Sequence, residues 1–146
     1  MSRANPEPRY WIAVASRDHV MTGVAGAFAQ ANHGKRAPMA RMNQGDGLIY
    51  YSSKEAFGQQ TPCQKFTAIG EVVDEEPYVG VMVGSDFAPY RRNIRYFSAQ
   101  EVPIRPLLVN LDFIPDPRHW GYPFRMGFFE ISAADYELIA QNMLNG

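Results

Sequence analysis

The groups best suited to chemistry lie between Tyr10 and Ser53, where amides, hydroxyls, an imidazole, an aromatic ring and cations follow one another closely. None of them has the spacing of a common catalytic motif. The mixture suits a pocket that holds a flat polar ligand near a phosphate. Rings can stack on such a ligand, amides can bond its polar edge, and cations can neutralise the phosphate.

The amides and the imidazole are the polar groups that could recognise such a ligand. Gln30 and Asn32 could bond the edge of a base, although amides in loops often bond only their own backbone. His33 precedes Gly34, Lys35 and Arg36, so it could contact a base or a phosphate. The alternative for this lone histidine is a structural role.

Two runs of cations could contact phosphates, although the formal net charge is −1. Nucleic-acid binding requires a local basic face rather than a basic protein. We predict that the runs meet around the pocket, and that Tyr90 stacks beside them. The proposed phosphate contacts are Lys35, Arg36, Arg91 and Arg92. The alternative is that these cations are solvated surface residues.

Catalysis receives little support from the sequence. Ser16, Asp18 and His19 are close along the chain, but a triad is recognised by its geometry rather than by proximity in sequence. Cys63 and His33 are equally unconstrained. Three histidines without ligand spacing do not indicate a zinc site. We expect no catalytic residue, no metal and no cofactor.

Length and composition indicate an ordinary globular protein. The 146 residues are enough for one domain, 1–146, and the hydrophobic content of 46% can form a core. No apolar run approaches the ~20 residues of a membrane span, and the first residues do not resemble a signal peptide. One cysteine excludes an internal disulfide. We expect a cytoplasmic monomer without a membrane partner.

The pattern of short elements favours an α+β fold, because the strands do not alternate regularly with helices. β-Branched and aromatic residues predict strands near 10–15, 48–52, 66–73, 92–97 and 126–131. Helices are predicted near 17–24, 38–42, 103–108 and 132–144. In the last helix, Ser132 and Asp135 resemble a capping box, and an apolar stripe follows at Tyr136, Ile139, Ala140 and Met143.

Several short motifs resemble the EVE domain family over nearly the whole chain, from about residue 9 to residue 144. They are Tyr10-Trp11-Ile12, His33-Gly34-Lys35, Gly45-Asp46, Leu48-Ile49-Tyr50-Tyr51, Phe66-Thr67-Ala68-Ile69-Gly70, Phe87-Ala88-Pro89-Tyr90-Arg91-Arg92, Pro103-Ile104-Arg105-Pro106-Leu107, Trp120-Gly121 and Glu130-Ile131. The chain departs from the family at Gln44, where a proline is frequent, and we expect this to affect only a turn.

The resemblance implies a PUA-like fold: a bent mixed β-barrel of about five or six strands flanked by short helices. We expect residues 1–8 to form a flexible N-terminus outside it. EVE domains are similar to YTH domains, which read a methylated adenine through an aromatic cage. The resemblance therefore implies a non-catalytic reader of nucleic acid that carries a modified base, in DNA or in RNA. The alternative is a small-molecule-binding or hydrolytic domain that uses the same pocket.

The resemblance also implies where the base would be held, at the barrel mouth. The candidate pocket residues are Ser16, Phe28, Gln30, Asn32, His33, Tyr51 and Ser52. Phe28 falls where YTH-type relatives place a cage tryptophan. The alternatives are core packing for Phe28 and a helix cap for Ser16. We expect Trp11 and Trp120 to belong to the core.

Overall fold

The computed structural model describes residues 7–81 and 87–144, and the predicted flexible N-terminus lies largely outside this part of the chain. The strands are β1 (Tyr10–Val14), β2 (Phe28–Ala29), β3 (Gly47–Lys54), β4 (Pro62–Val72), β5 (Tyr78–Val79), β6 (Tyr90–Tyr96), β7 (Val102–Pro103) and β8 (Phe128–Ile131). The α-helices are α1 (Arg17–Gly26), α2 (Arg36–Arg41) and α3 (Ala133–Leu144). Short 3-10 helices are Asn32–Gly34, Arg105–Asn110, Pro117–His119 and Tyr122–Met126.

The strands form one curled, mixed sheet in the order β2-β6-β4-β3-β1-β8. Strands β1 and β3 are parallel, and the other pairs are antiparallel. Strand β5 pairs with β6, and β7 pairs with β4. The α+β class and the bent mixed sheet of six main strands are therefore confirmed.

The five predicted strands are all present, with shifted ends. The strands β2, β5 and β7 were not predicted from the sequence. Each has two residues, and so short a strand shows no periodicity. Helices near 17–24, 38–42 and 132–144 are present, whereas the predicted helix near 103–108 is a 3-10 helix that begins later. Pro106 lies in its first turn, where proline is tolerated.

Two hydrophobic cores form because successive side chains of a strand point to opposite faces. We call them the interior core and the outer core. The interior core contains Trp11, Ala13, Leu48, Tyr50, Ala68 and Ile94, together with Val20 of α1 and Met39 and Met42 at α2. The outer core contains Ile12, Ile49, Tyr51, Phe66, Ile69, Phe124 and Phe129, covered by α3. Tyr50 and Tyr51 are therefore neighbours in sequence with side chains in different cores.

Asp46 explains the Gly-Asp motif before β3. Its buried carboxylate accepts hydrogen bonds from the backbone N–H groups of Arg9 and Asn43, at 3.0 and 2.9 Å. It also accepts one from Trp11 Nε1 at 2.9 Å. These bonds join the start of β1 to the turn before β3. Trp11, which is 1% exposed, is confirmed as a core residue.

The capping of α3 is also confirmed. The backbone N–H of Asp135 donates to Ser132 Oγ at 3.1 Å, and the predicted apolar stripe is buried. The Asp135 carboxylate is used differently from a capping box, because it accepts from the backbone N–H groups of Asp112 and Phe113. It thereby fixes the preceding loop against the helix. Within the described residues, no helix has the length and apolarity that crossing a bilayer requires.

Candidate functional site

Phe28 lies on the edge strand β2, directly after Ala27, whose left-handed backbone ends α1. Its backbone is held in place because Phe28 pairs with Asn93 of β6 and its carbonyl accepts from Tyr96 Oη at 2.9 Å. The ring is half-buried, and the guanidinium carbon of Arg91 lies 3.8 Å from the ring centroid. A planar cation therefore stacks on this ring.

Gln30 meets the same arginine. Arg91 Nε donates to Gln30 Oε1 at 3.1 Å. The Gln30 backbone is fixed from the interior core, since its N–H donates to Tyr50 Oη at 3.1 Å and its carbonyl accepts from that hydroxyl at 2.6 Å. We call Phe28, Gln30 and Arg91 the Phe28 cluster. It unites two segments of chain that are about 60 residues apart.

A left-handed turn follows this cluster. Asn32, His33 and Gly34 have φ angles of 49°, 61° and 78°, in a region that non-glycine residues seldom adopt. A Cβ on Gly34 would lie 2.6 Å from Pro89 Cβ and 2.7 Å from the Phe87 ring, so the turn packs closely against residues 87–89. Unfavourable backbone of this kind concentrates at functional sites, at a cost of about 1–3 kcal/mol per residue.

The close packing of Gly34 on Phe87 and Pro89 brings into contact the backbone segments that precede the two cationic runs. Lys35 and Arg36 follow Gly34 and are exposed, while Tyr90 and Arg91 follow Pro89 and are half-buried. The side chain of Tyr90 packs against the interior core.

The structure corrects the prediction that Arg92 contacts a phosphate. Its side chain is fully buried and therefore has no free face for a phosphate. Arg92 Nε donates to Asp74 Oδ1 at 2.7 Å, and Nη2 donates to the Asp74 carbonyl at 2.8 Å. Nη1 donates to the carbonyls of Met39 and Met42 at 2.8 and 2.5 Å. This arginine fixes the end of α2 to β6, and no sequence pattern distinguishes it from Arg91.

The remaining predicted pocket residues lie in other surroundings. Asn32 packs against Gly127, where an added Cβ would lie 2.0 Å from Asn32 Oδ1. Ser52 is buried, and its hydroxyl is 2.9 Å from Thr67 Oγ1. Ser16 precedes α1, but its hydroxyl donates to the Asp18 carboxylate instead of capping the helix backbone. That hydrogen bond, together with backbone N–H donors, lowers the pKa of Asp18.

Tyr51 lies in the outer core and not with Phe28. Its ring stacks on Phe124 with centroids 4.0 Å apart and meets Trp120 edge-on at 6.3 Å. Its hydroxyl is buried and has no hydrogen-bond partner among the described residues. Burial raises the pKa of Tyr51 above its usual value, so the hydroxyl keeps its proton even in alkaline solution.

A cavity of about 260 Å³ opens beside Tyr51, and we call it the Tyr51 cavity. It is lined by Val14, Tyr51, Ser53, Gln64, Trp120, Gly121, Phe124 and Arg125. Trp120, expected in the core, packs against the outer core but also lines this cavity. Of this lining, Trp120 and Gly121 form a motif of the family resemblance, whereas no pattern marked Gln64 or Arg125.

The groups considered for catalysis do not assemble. The His19 ring packs on Phe57 with centroids 5.4 Å apart, while Ser16 bonds Asp18. Partial burial, then a hydrogen bond to Glu55, raise the pKa of the Cys63 thiol to about 11, which disfavours the nucleophilic thiolate. Residues 7–81 and 87–144 contain no group of three or more His, Cys, Asp or Glu side chains that could hold a metal ion.

Comparison with known proteins gives consistent matches along the chain. A family model described as EVE domain matches residues 9–142. The UPF0310 protein in gntR 5'region of Bacillus licheniformis is 52% identical over 129 residues, which cover 88% of this chain and 87% of that protein. A UPF0310 protein of Mycolicibacterium vanbaalenii is 50% identical over 134 residues, which cover 92% of each chain.

Solved structures support the fold alone, because sequence identity to them is low. The NMR structure of Rpa0253 from Rhodopseudomonas palustris matches with a TM-score of 0.57 at 18% identity, covering 91% of each chain. A hypothetical protein from Leishmania major matches with a TM-score of 0.59 at 15% identity, covering 95% of this chain and 96% of that one. The architecture is of the PUA-like type.

Proposed function

This chain belongs to the EVE domain family, whose PUA-like fold is often linked to nucleic-acid binding, and from that membership we propose a reader of modified bases. The domain is non-catalytic and holds one modified base of a DNA or RNA strand beside Phe28. The observation that carries the proposal is the position of Arg91, which contacts both an aromatic ring and an amide at the edge of the sheet.

Phe28 supplies the stacking surface. The ring is half-buried on a strand whose backbone is bonded, so it is already oriented before a ligand arrives. The Arg91 guanidinium occupies one ring face at 3.8 Å, as a planar base would. We expect a flipped base to take that place, with Arg91 moving to a phosphate. Stacking of one base contributes ~1–3 kcal/mol.

Gln30 supplies the polar edge. When Arg91 leaves, the Gln30 amide is free to donate to and accept from the edge of the base. Its backbone stays fixed because Tyr50 bonds both its N–H and its carbonyl. Ser16, Asn32 and Ser52 are not assigned to this base, because their side chains lie in other surroundings. We leave out Tyr51, whose side chain lies in the outer core.

The left-handed turn and the cations beside it supply the phosphate contacts. His33, Lys35 and Arg36 are exposed where the turn packs on residues 87–89, one residue before Tyr90. Such contacts position the strand and carry no sequence information. We therefore assign His33, Lys35, Arg36 and Arg91 to the backbone of the strand, with Tyr90 as a further stacking residue.

The decisive experiment replaces the stacking surface. Phe28→Ala should weaken binding of an oligonucleotide with a modified base about fivefold to 150-fold, which corresponds to the loss of one stacked base. Fluorescence anisotropy against oligonucleotides that carry a panel of modified bases measures this change. The matched control is Phe57→Ala, which removes an exposed ring that stacks on His19 instead. Unchanged affinity in a folded Phe28→Ala protein would show that this ring does not hold the base.

A second experiment separates phosphate contacts from base contacts. Arg36→Gln should weaken binding to modified and unmodified strands alike, and should lower the slope of log affinity against log salt by about one unit. Gln30→Ala should leave this slope almost unchanged and reduce the preference for the modified base. Arg118→Gln is the control, because Arg118 is an exposed cation that lies in a different segment from Arg36 and pairs with Asp116. Equal effects of the Arg36 and Arg118 replacements would contradict the assigned phosphate surface.

The hydrolytic alternative makes a different prediction. A panel of free nucleotides and modified nucleosides, incubated with the protein and followed by chromatography, should show no product. The raised pKa of Cys63 and the packing of the His19 ring on Phe57 support this expectation. Product formation that depends on a residue of the Phe28 cluster would show that the protein is an enzyme and not a reader.

A further inference from the structure

The Tyr51 hydroxyl is a buried polar group that the fold leaves without a partner. The residue is 1% exposed, and no described group accepts from or donates to its oxygen. Buried polar groups are nearly always hydrogen-bonded, because an unpaired one costs free energy, and an exception requires an explanation. The hydroxyl is enclosed in the ligand-free protein, but its residue lines the Tyr51 cavity, so a small shift of the lining side chains would let a bound molecule supply the missing bond.

We propose that the Tyr51 cavity is a second ligand site, separate from the Phe28 cluster, which takes a small planar ring that carries an anionic group. The ring lies in the cavity with a polar atom bonded to Tyr51, and the anionic group faces Arg105 and Arg125. This site shares no residue with the Phe28 cluster and does not depend on the reader function.

The walls of the cavity favour a flat ring. Trp120, Phe124 and Tyr51 supply aromatic surface, with Trp120 edge-on to the Tyr51 ring. The volume of about 260 Å³ lies just below the ~300–1,000 Å³ of usual ligand pockets, which limits the occupant to a small molecule. Apolar walls with a few polar groups are the usual composition of such sites.

The arginines beside the cavity favour an anion. Arg125 lines the cavity, and Arg105 reaches its wall by donating from Nε to Gln64 Oε1 at 3.1 Å. The Arg105 guanidinium also lies 5.3 Å from the Trp120 ring centroid. Asp116, an acid of the adjoining segment, is already paired with Arg118 and His119. Guanidinium groups match the geometry of carboxylates and phosphates.

Gln64 adds an independent indication. It has a φ of 55°, although it is neither glycine nor asparagine, and it lies within strand β4. An unfavourable backbone of this kind persists where the surrounding structure imposes it, and such residues cluster at ligand sites. At Gln64 it coincides with an amide that lines the cavity and contacts Arg105.

Three related probes test the chemistry of the site. Ligand-observed NMR and calorimetry compare 4-hydroxybenzoate, benzoate and neutral benzamide, and uridine 5′-monophosphate tests whether a nucleotide can supply the same ring and anion. We expect 4-hydroxybenzoate to bind about twofold to tenfold tighter than benzoate through one extra hydrogen bond. Benzamide should bind more weakly than either acid. Failure of all the acids and of the nucleotide to bind at millimolar concentration overturns the proposal.

Two variants assign binding to this cavity. Tyr51→Phe keeps the ring and removes the hydroxyl, so it should abolish the difference between 4-hydroxybenzoate and benzoate in a folded protein. Arg125→Gln should weaken both acids about threefold to tenfold while benzamide is unaffected. Arg118→Gln and Phe28→Ala are controls that should change neither. Acid binding that survives both Tyr51→Phe and Arg125→Gln overturns the assignment, whatever the outcome at Phe28.

Discussion

Two pairs of identical residues are adjacent in sequence but differ in their surroundings. They are Tyr50 and Tyr51 on β3, and Arg91 and Arg92 on β6. The Tyr50 hydroxyl bonds the Gln30 backbone twice, whereas the Tyr51 hydroxyl is unpaired beside a cavity. Arg92 is fully buried with four hydrogen bonds to Asp74, Met39 and Met42, whereas Arg91 is half-buried on the Phe28 ring.

The comparison teaches that residue type does not decide function in this fold. In each pair, the strand directs the two side chains to opposite faces: Tyr50 lies in the interior core and Tyr51 in the outer core, while Arg92 is fully buried and Arg91 is half-buried. Tyr50 and Arg92 use their polar groups in hydrogen bonds that hold the fold together, which we call the framework. These groups are therefore not available to a ligand. Tyr51 and Arg91 retain donor or acceptor capacity, which a ligand site requires.

The largest effect is expected at the arginine pair. Arg92→Met should lower the free energy of unfolding by about 3–5 kcal/mol, because it leaves the Asp74 carboxylate and the Met39 and Met42 carbonyls without their buried donor. Arg91→Met should lower it by at most about 1 kcal/mol, since it loses a half-exposed stacking contact. Urea unfolding measures both. Similar losses for the two variants would contradict the division between framework and site.

The tyrosine pair should show a smaller effect of the same kind. Tyr50→Phe should lower the free energy of unfolding by about 1–3 kcal/mol, because the N–H and carbonyl of Gln30 lose their buried partner. Tyr51→Phe should leave stability unchanged or raise it slightly, since it removes an unpaired buried hydroxyl. Thermal unfolding of the ligand-free proteins compares them. A destabilised Tyr51→Phe protein would mean that this hydroxyl has a structural partner.

The smallest effect concerns the backbone beside the Phe28 cluster. His33→Gly should raise the free energy of unfolding by about 0.5–1 kcal/mol, because glycine adopts a φ of 61° without the steric cost of a side chain. Lys35→Gly is the control, since Lys35 has a φ of −66° and gains nothing from glycine. If the two replacements change stability equally, the turn is not strained.

Much of the framework could be predicted from the sequence. Strands β1, β3, β4, β6 and β8 contain β-branched and aromatic residues between turn residues, and α3 has a capping serine before an apolar stripe. These signals are local, so they survive without knowledge of the fold. Short elements such as β2 could not be predicted, because two residues show no period and the strand exists only through its pairing with β6.

The sequence by itself determined the family, the α+β class and the candidates Phe28, Gln30 and Arg91. It did not predict the Tyr51 cavity, because the lining residues are spread from Val14 to Arg125 and no spacing connects them. Only the tertiary structure decided which tyrosine and which arginine are committed to the framework. The physical reason is that strand geometry alternates side chains between two faces, while the partner that satisfies a buried polar group comes from a distant segment.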